Sequence, residues 1–287
     1  MQPTAKSVLL DLLSTIKGGA LPVRALVAAG ELFDIRENAL RVALARLRAA
    51  GLVRSDEPGL YRLGDRAEAV NRLATSWRAA ERGVRSWSGD WVAVASGGLT
   101  RTRQLAGVRA LAFLGCRELR PGLAVRPDNL VGGVDAARQH LRELGLDAGA
   151  DVFGLHDLAA DTARRAAALW DTAALRLGYR RTIADLERSE LRLATLPRER
   201  AMAESFLLGG RAIRQIVFDP RLPDALVPAA ERRALIDALL RYDRLGRATW
   251  SSFMREMGGT LGSTPAHVRF GAGDTPGSQQ LTGVSGA

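Results

Sequence analysis

Six side chains within residues 37–50 have the types and spacing needed to read the edges of DNA bases. Asn38, Arg41, Val42, Ala45, Arg46 and Arg48 fall on one side of a 3.6-residue wheel, and Leu40, Leu44 and Leu47 fall on the other. Arginine offers two hydrogen-bond donors to guanine O6 and N7, and asparagine makes the matching pair of bonds to adenine. Val42 and Ala45 are short enough for close approach and for contact with a thymine methyl. Reading a major groove of about 12 Å requires this division, with one stripe anchored on a domain and the other free. Arg54 and Arg62 flank a turn containing Pro58 and Gly59, where they have the chemistry to hold phosphates or enter the minor groove. The same pattern also describes an ordinary bundle of amphipathic helices with a solvated arginine face.

The elements that would position these residues are legible nearby. Residues 4–17 predict a helix, with Thr4 as its cap, Val8, Leu9, Leu12, Leu13 and Ile16 as its apolar stripe, and Gly18–Gly19 as its stop. Pro22 suits the first turn of a second helix that carries Val23, Leu26 and Val27 and closes at Gly30. Asp34 and Glu37 have capping-box spacing for the third helix, which runs to about Ala50 and ends at Gly51. Leu52–Arg54 and Tyr61–Leu63 then predict two strands around the turn Asp56–Gly59. Three helices followed by a hairpin are the order of a winged helix-turn-helix domain, expected over residues 1–64. A plain bundle has no use for the strands.

The remainder predicts a mainly α protein with an α+β part. Residues 65–88 are a helical, charged connector. Over 89–160 the expected order is β-α-β-β-α-β, the ferredoxin-like arrangement, serving dimerisation and linking. Its strands are Trp91–Ala95, Glu118–Leu119, Leu123–Arg126 and Val152–Leu155, and its helices Arg101–Leu114 and Asp135–Leu144. A C-terminal helical domain covers 161–257, broken at Pro197 and by the loop Asp219–Pro228. The tail 258–287, rich in Gly, Ser, Thr and Pro, is expected to be disordered.

Composition bounds the partners. The chain has 287 residues, 47% hydrophobic and 25% charged, enough for two or three domains with their own cores. The net charge is +10, which favours polyanionic partners. Residues 1–87 hold 14 basic and 9 acidic side chains, a net +5, whereas 88–160 hold 8 of each. No apolar run reaches the ~18 residues of a membrane span, and no secretion signal is evident. With one cysteine, Cys116, an internal disulfide is impossible, and a cytoplasmic protein is expected.

Three separated stretches resemble the PaaX family, named for the repressor of bacterial phenylacetate catabolism. Glu37–Val53, ENALRVALARLRAAGLV, is similar to the family's recognition helix. Phe113–Leu130, FLGCRELRPGLAVRPDNL, is similar to its middle-domain hairpin, and Asp219–Pro228, DPRLPDALVP, to its C-terminal loop. The order and spacing of the three extend the resemblance over roughly residues 4–257. The chain departs from the family pattern at Ala124 and at Ala229–Ala230, where the family usually has aromatics. The resemblance implies a homodimeric repressor on double-stranded operator DNA with two half-sites, released by an aromatic acyl-coenzyme A such as phenylacetyl-CoA.

Residues for such an effector are Arg120 and Arg126, which could meet coenzyme phosphates, and Trp170, which could line a pocket; solvated or ion-paired arginines and a core tryptophan are the bland readings. His140, His156, His267 and Cys116 lack metal-ligand spacing, and no catalytic set or cofactor motif is found, so neither enzyme activity nor a cofactor is expected. Two rival functions are a protein-binding adaptor built on the winged domain and a metal-dependent nuclease, because the β-α-β-β-α-β order also resembles small CRISPR-associated nucleases. Against the nuclease, the strand WVAVA ends in Ser96 and Gly97, and the nearest acid, Asp90, lies before it.

Overall fold

Apolar residues at helical spacing form three helices at the start of the chain. The computed structural model describes residues 3–16, 20–65, 67–68, 71 and 83–258. Helix α1 spans Ala5–Leu13, α2 Val23–Glu31 and α3 Glu37–Ala49. Thr4 caps α1 in a reciprocal box with Ser7: Ser7 N–H donates to Thr4 Oγ1 at 3.2 Å, and Thr4 N–H donates to Ser7 Oγ at 2.9 Å. The helix ends earlier than its apolar stripe implies. Ser14 Oγ donates to Asp11 O and Thr15 Oγ1 to Leu12 O, so local hydroxyls take carbonyls of the last turn. The expected stop at Gly18–Gly19 lies outside the described residues.

Two expectations about the next helices are corrected. Asp34 does not cap α3: it sits in the left-handed region at φ 56, and the capping position falls to Arg36, which makes no side-chain cap bond. Gly30 does not stop α2 but lies inside it, where α3 packs closely. A Cβ at Gly30 would stand 2.2 Å from Leu40 Cδ1. Pro22 precedes α2 as its cap residue and also belongs to a two-residue strand that the sequence did not reveal.

That strand, β1 (Leu21–Pro22), pairs with β3 (Leu60–Leu63), which pairs with β2 (Val53–Glu57). The antiparallel order is β1-β3-β2. A second antiparallel sheet has the order β5-β6-β4-β7, from β4 (Trp91–Ala95), β5 (Arg117–Arg120), β6 (Leu123–Pro127) and β7 (Asp151–Leu155). Helix α4 (Arg101–Phe113) follows β4, and α5 (Gly133–Glu143) precedes β7. Val92 and Val94 of β4 share a core with Ala110, Leu114, Ala137, Leu141 and Val152. The protein is therefore mixed, with helices and two small antiparallel sheets.

The C-terminal helices are α6 (Ala160–Ala167), α7 (Thr172–Leu193), α8 (Arg198–Val217) and α9 (Ala229–Glu256). The gap between α6 and α7 replaces an expected continuous helix. Asp171 Oδ1 accepts from Ala174 N–H at 2.8 Å, an N-terminal cap that starts a new helix. Most of the expected connector, and the tail beyond Gly258, lie outside the described residues.

Two compact units result. One takes in the described residues up to 71 with 180–215 and 234–258; the other takes in 83–179 and 216–233. Helices α7, α8 and α9 thus contribute residues to both. In the first unit the core joins Val8, Leu9, Leu12, Leu26, Leu40, Leu44 and Leu47 to Met202, Phe206 and Trp250. Phe33 packs on Phe206 at 4.8 Å between ring centres, and Trp250 Nε1 donates to Met202 O at 3.2 Å.

Close approach of α2 and α3 decides the sign of one substitution. In an open helix, Gly→Ala stabilises by about 1 kcal/mol. Here Leu40 is 2% exposed and has little room to retreat, so Gly30→Ala is expected to destabilise by ~1–3 kcal/mol through overpacking. Urea unfolding monitored by circular dichroism checks this, and a gain in stability would contradict the packing described.

Candidate functional site

Helix α3 carries the candidate site because its two faces differ. Leu40, Leu44 and Leu47 are buried, whereas Asn38, Arg41, Val42, Ala45, Arg46 and Arg48 are exposed. Val42 is 44% exposed, an apolar side chain left outside the core on the same face as the cations. Glu37, in the first turn, grips Arg41: its Oε1 accepts from Nε at 2.7 Å and lies 2.6 Å from Nη2. The structure therefore brings all six sequence-predicted residues of this helix to one surface.

Arg54 and Arg62 stand apart from that surface, on the hairpin β2–β3, directly opposite each other in the ladder. Like charges in facing positions repel, and each arginine has its own acid. Arg54 Nη1 lies 2.9 Å from Asp65 Oδ1, and Arg62 pairs with Asp56. Sequence reading missed both carboxylates because neither lies at helical spacing from its arginine.

Three residues that the sequence did not single out adjoin α3. Lys6 of α1, Arg36 at the cap of α3 and Leu52 line a groove of about 780 Å³ together with Asn38, Val42 and Arg46. The groove runs along α3 from Arg36 to Ala50, with Thr4–Lys6 on its other wall.

The effector candidates are not gathered in one place. Arg120 is exposed at the end of β5. Arg126 is fully buried on β6, and its guanidinium bonds Pro127 O at 3.1 Å, Asn129 Oδ1 at 2.9 Å, Pro220 O at 3.5 Å and Leu114 O. Burial, and then the charge of Arg221, push its pKa down to about 10. Asn129 Nδ2 in turn donates to Arg221 O at 2.7 Å. Trp170 is buried, donates to Gly115 O at 3.1 Å and stacks on Trp91 with ring centres 6.2 Å apart. Arg126 and Trp170 thus converge on the carbonyls of Leu114 and Gly115, away from solvent.

Asp90, the acid weighed for a nuclease, accepts from Ser88 Oγ at 2.7 Å and lies 2.8 Å from His156 Nδ1. The hydrogen bonds from Ser88 and then His156 hold its carboxyl below the usual range, and Asp90 holds the imidazole above its ordinary value. Among the described residues no group of three His, Cys, Asp or Glu side chains is placed to hold a metal ion. Among them, too, no helix is long and apolar enough to cross a membrane.

A family model described as PaaX-like protein matches residues 4–67, and one described as PaaX-like protein C-terminal domain matches residues 170–249. No curated protein matches the chain. Among solved structures it is similar to the uncharacterized protein Rv0674 from Mycobacterium tuberculosis. The identity is 26% and the TM-score 0.54, covering 86% of this chain and 98% of that one.

Arg126 and Arg120 should behave differently when removed. Arg126→Ala leaves buried carbonyls without donors and is expected to cost roughly 2–5 kcal/mol. Arg120→Ala should change stability by less than about 0.5 kcal/mol. Guanidinium unfolding of the two variants separates these outcomes, and an unperturbed Arg126→Ala would contradict the hydrogen-bonded frame.

Proposed function

The chain belongs to the PaaX-like protein family, and from that premise we propose that it is a DNA-binding transcriptional regulator that represses a catabolic operon. One observation carries this reading: α3 buries Leu40, Leu44 and Leu47 and leaves Asn38, Arg41, Val42, Ala45, Arg46 and Arg48 exposed together. In this reading residues 1–64 are a winged helix-turn-helix head, α3 is its recognition helix and the hairpin β2–β3 is its wing. The order of three helices followed by a hairpin paired to β1 supports that assignment.

Arg41, gripped by Glu37, has further N–H donors to turn toward a guanine edge, and Asn38 reads adenine. Arg54 and Arg62 touch the backbone from the wing. Residues 89–160 form a ferredoxin-like module that joins two copies, so that two heads meet two half-sites. The sheet order β5-β6-β4-β7 and the β-α-β-β-α-β succession favour that module. Residues 161–257 link it to the head, since α7, α8 and α9 each supply both compact units. The effector is an aromatic acyl-coenzyme A, a reading that rests on the family. Of the three effector candidates, Arg120 alone is exposed to meet its phosphates. A coupling of ~1–3 kcal/mol between effector and operator is typical of such linkage.

The test is fluorescence anisotropy with the full chain on DNA from upstream of its own gene, against a scrambled duplex, with and without phenylacetyl-CoA. Selective binding released by the acyl-CoA is expected. Arg41→Ala should weaken selective binding by ~1–3 kcal/mol and relax base preference at one position per half-site. Unchanged affinity and selectivity in Arg41→Ala would overturn the placement of α3. Binding no tighter than to scrambled DNA would favour the adaptor.

A further inference from the structure

The cations of the described residues 3–65 fall into two classes. Arg41, Arg54 and Arg62 each hold a carboxylate, of Glu37, Asp65 and Asp56. Lys6, Arg24, Arg36, Arg46 and Arg48 have no acidic partner among the described residues, and Lys6, Arg36 and Arg46 line the groove beside α3. Among the described residues no acidic side chain lines the groove with them. An arginine that already has an intramolecular counter-ion gains less from a phosphate than one that does not, because its charge is partly compensated before binding. The groove is therefore where three of these five uncompensated cations gather beside a concave surface.

Its chemistry fits a run of phosphodiesters. The cations come from two elements, Lys6 from α1 and Arg36 and Arg46 from the cap and body of α3. The rest of the lining includes the small and apolar residues Ala39, Ala43, Leu47 and Ala50, which leave room for a backbone strand to approach. In the first turn of α1 the Thr4–Ser7 box takes up the N–H groups of Thr4 and Ser7. The groove also takes only one flank of the exposed face of α3. Arg41, Ala45 and Arg48 lie outside its lining and remain free for base edges.

We propose that this α1–α3 groove is the principal phosphate-backbone site of the protein, with Lys6, Arg36 and Arg46 as its contacts. The proposal rests on the DNA-binding reading above and deepens it in two ways. Arg46 moves from base readout to backbone contact. The wing arginines become the lesser contributors to electrostatic binding.

The experiment measures how the affinity of the full chain for a mixed-sequence B-form duplex falls with salt concentration. Each phosphate contact removed lowers the log–log slope by about 1. Lys6→Ala with Arg36→Ala should therefore lower the slope by about 2, with the preference for upstream over scrambled DNA unchanged. Arg54→Ala with Arg62→Ala should lower it by less than half as much. Arg36→Lys should keep the wild-type slope, separating charge from packing, and the exposed positions leave the melting temperature unchanged. A wild-type slope in the groove variant, or a larger loss in the wing variant, overturns the groove assignment while leaving DNA binding intact. A wild-type chain whose duplex affinity ignores salt overturns DNA binding itself and the groove with it.

Discussion

The inner stripe of α3, Leu40, Leu44 and Leu47, is the contact on which the candidate interface depends. Burying each leucine contributes ~1.5–3 kcal/mol, which fixes the rotation of the helix about its axis. Once the stripe is held, the exposed face must point outward. Gly30 tightens the arrangement by letting α3 approach α2 where any side chain would strike Leu40. The core that receives the stripe is not confined to the first 64 residues. Phe206, Met202 and Trp250 belong to the same cluster, so the N-terminal helices are completed by residues far along the chain.

The second unit is held by polar groups buried in pairs. Arg126 and Asn129 secure the segment at Pro220–Arg221 through its carbonyls. Tyr179 donates to Asp219, whose carboxyl burial pushes up and Arg232 draws down. Arg232 itself donates to Leu222 O at 3.2 Å. Removing one member of such a set leaves its partners desolvated and unpaired, which is why buried polar frames specify one geometry. The loop they hold joins α8 to α9, the helices that also complete the core beside α3.

Much of this was legible in the residues, for reasons that also explain the failures. The apolar run WVAVA reads as a buried strand because β4 is central in its sheet. The leucine stripe of α3 reads as a buried face because its period is that of a helix. The two-residue β1 carries no period at all, and its pairing with β3 is set by tertiary contact. Asp34 and Glu37 have capping-box spacing, yet a left-handed turn at Asp34 and the pull of Arg41 on Glu37 undo it. Charge is legible, but compensation is not. Nothing in the spacing distinguishes Arg62, paired with Asp56, from Arg36, which faces an open groove. Likewise Arg126 looks like any strand arginine until the fold encloses it.

The proposed role requires the outer face of α3 to enter the groove of duplex DNA. Cys116, the single cysteine, is buried, and burial pushes its thiol up to about 11. An Ala45→Cys variant therefore presents one reactive thiol, to which an iron–EDTA cleavage reagent can be tethered. With the labelled chain bound to DNA from upstream of its own gene, cleavage should be confined to a few consecutive nucleotides in each half-site. Saturated binding without cleavage from that position would contradict the account.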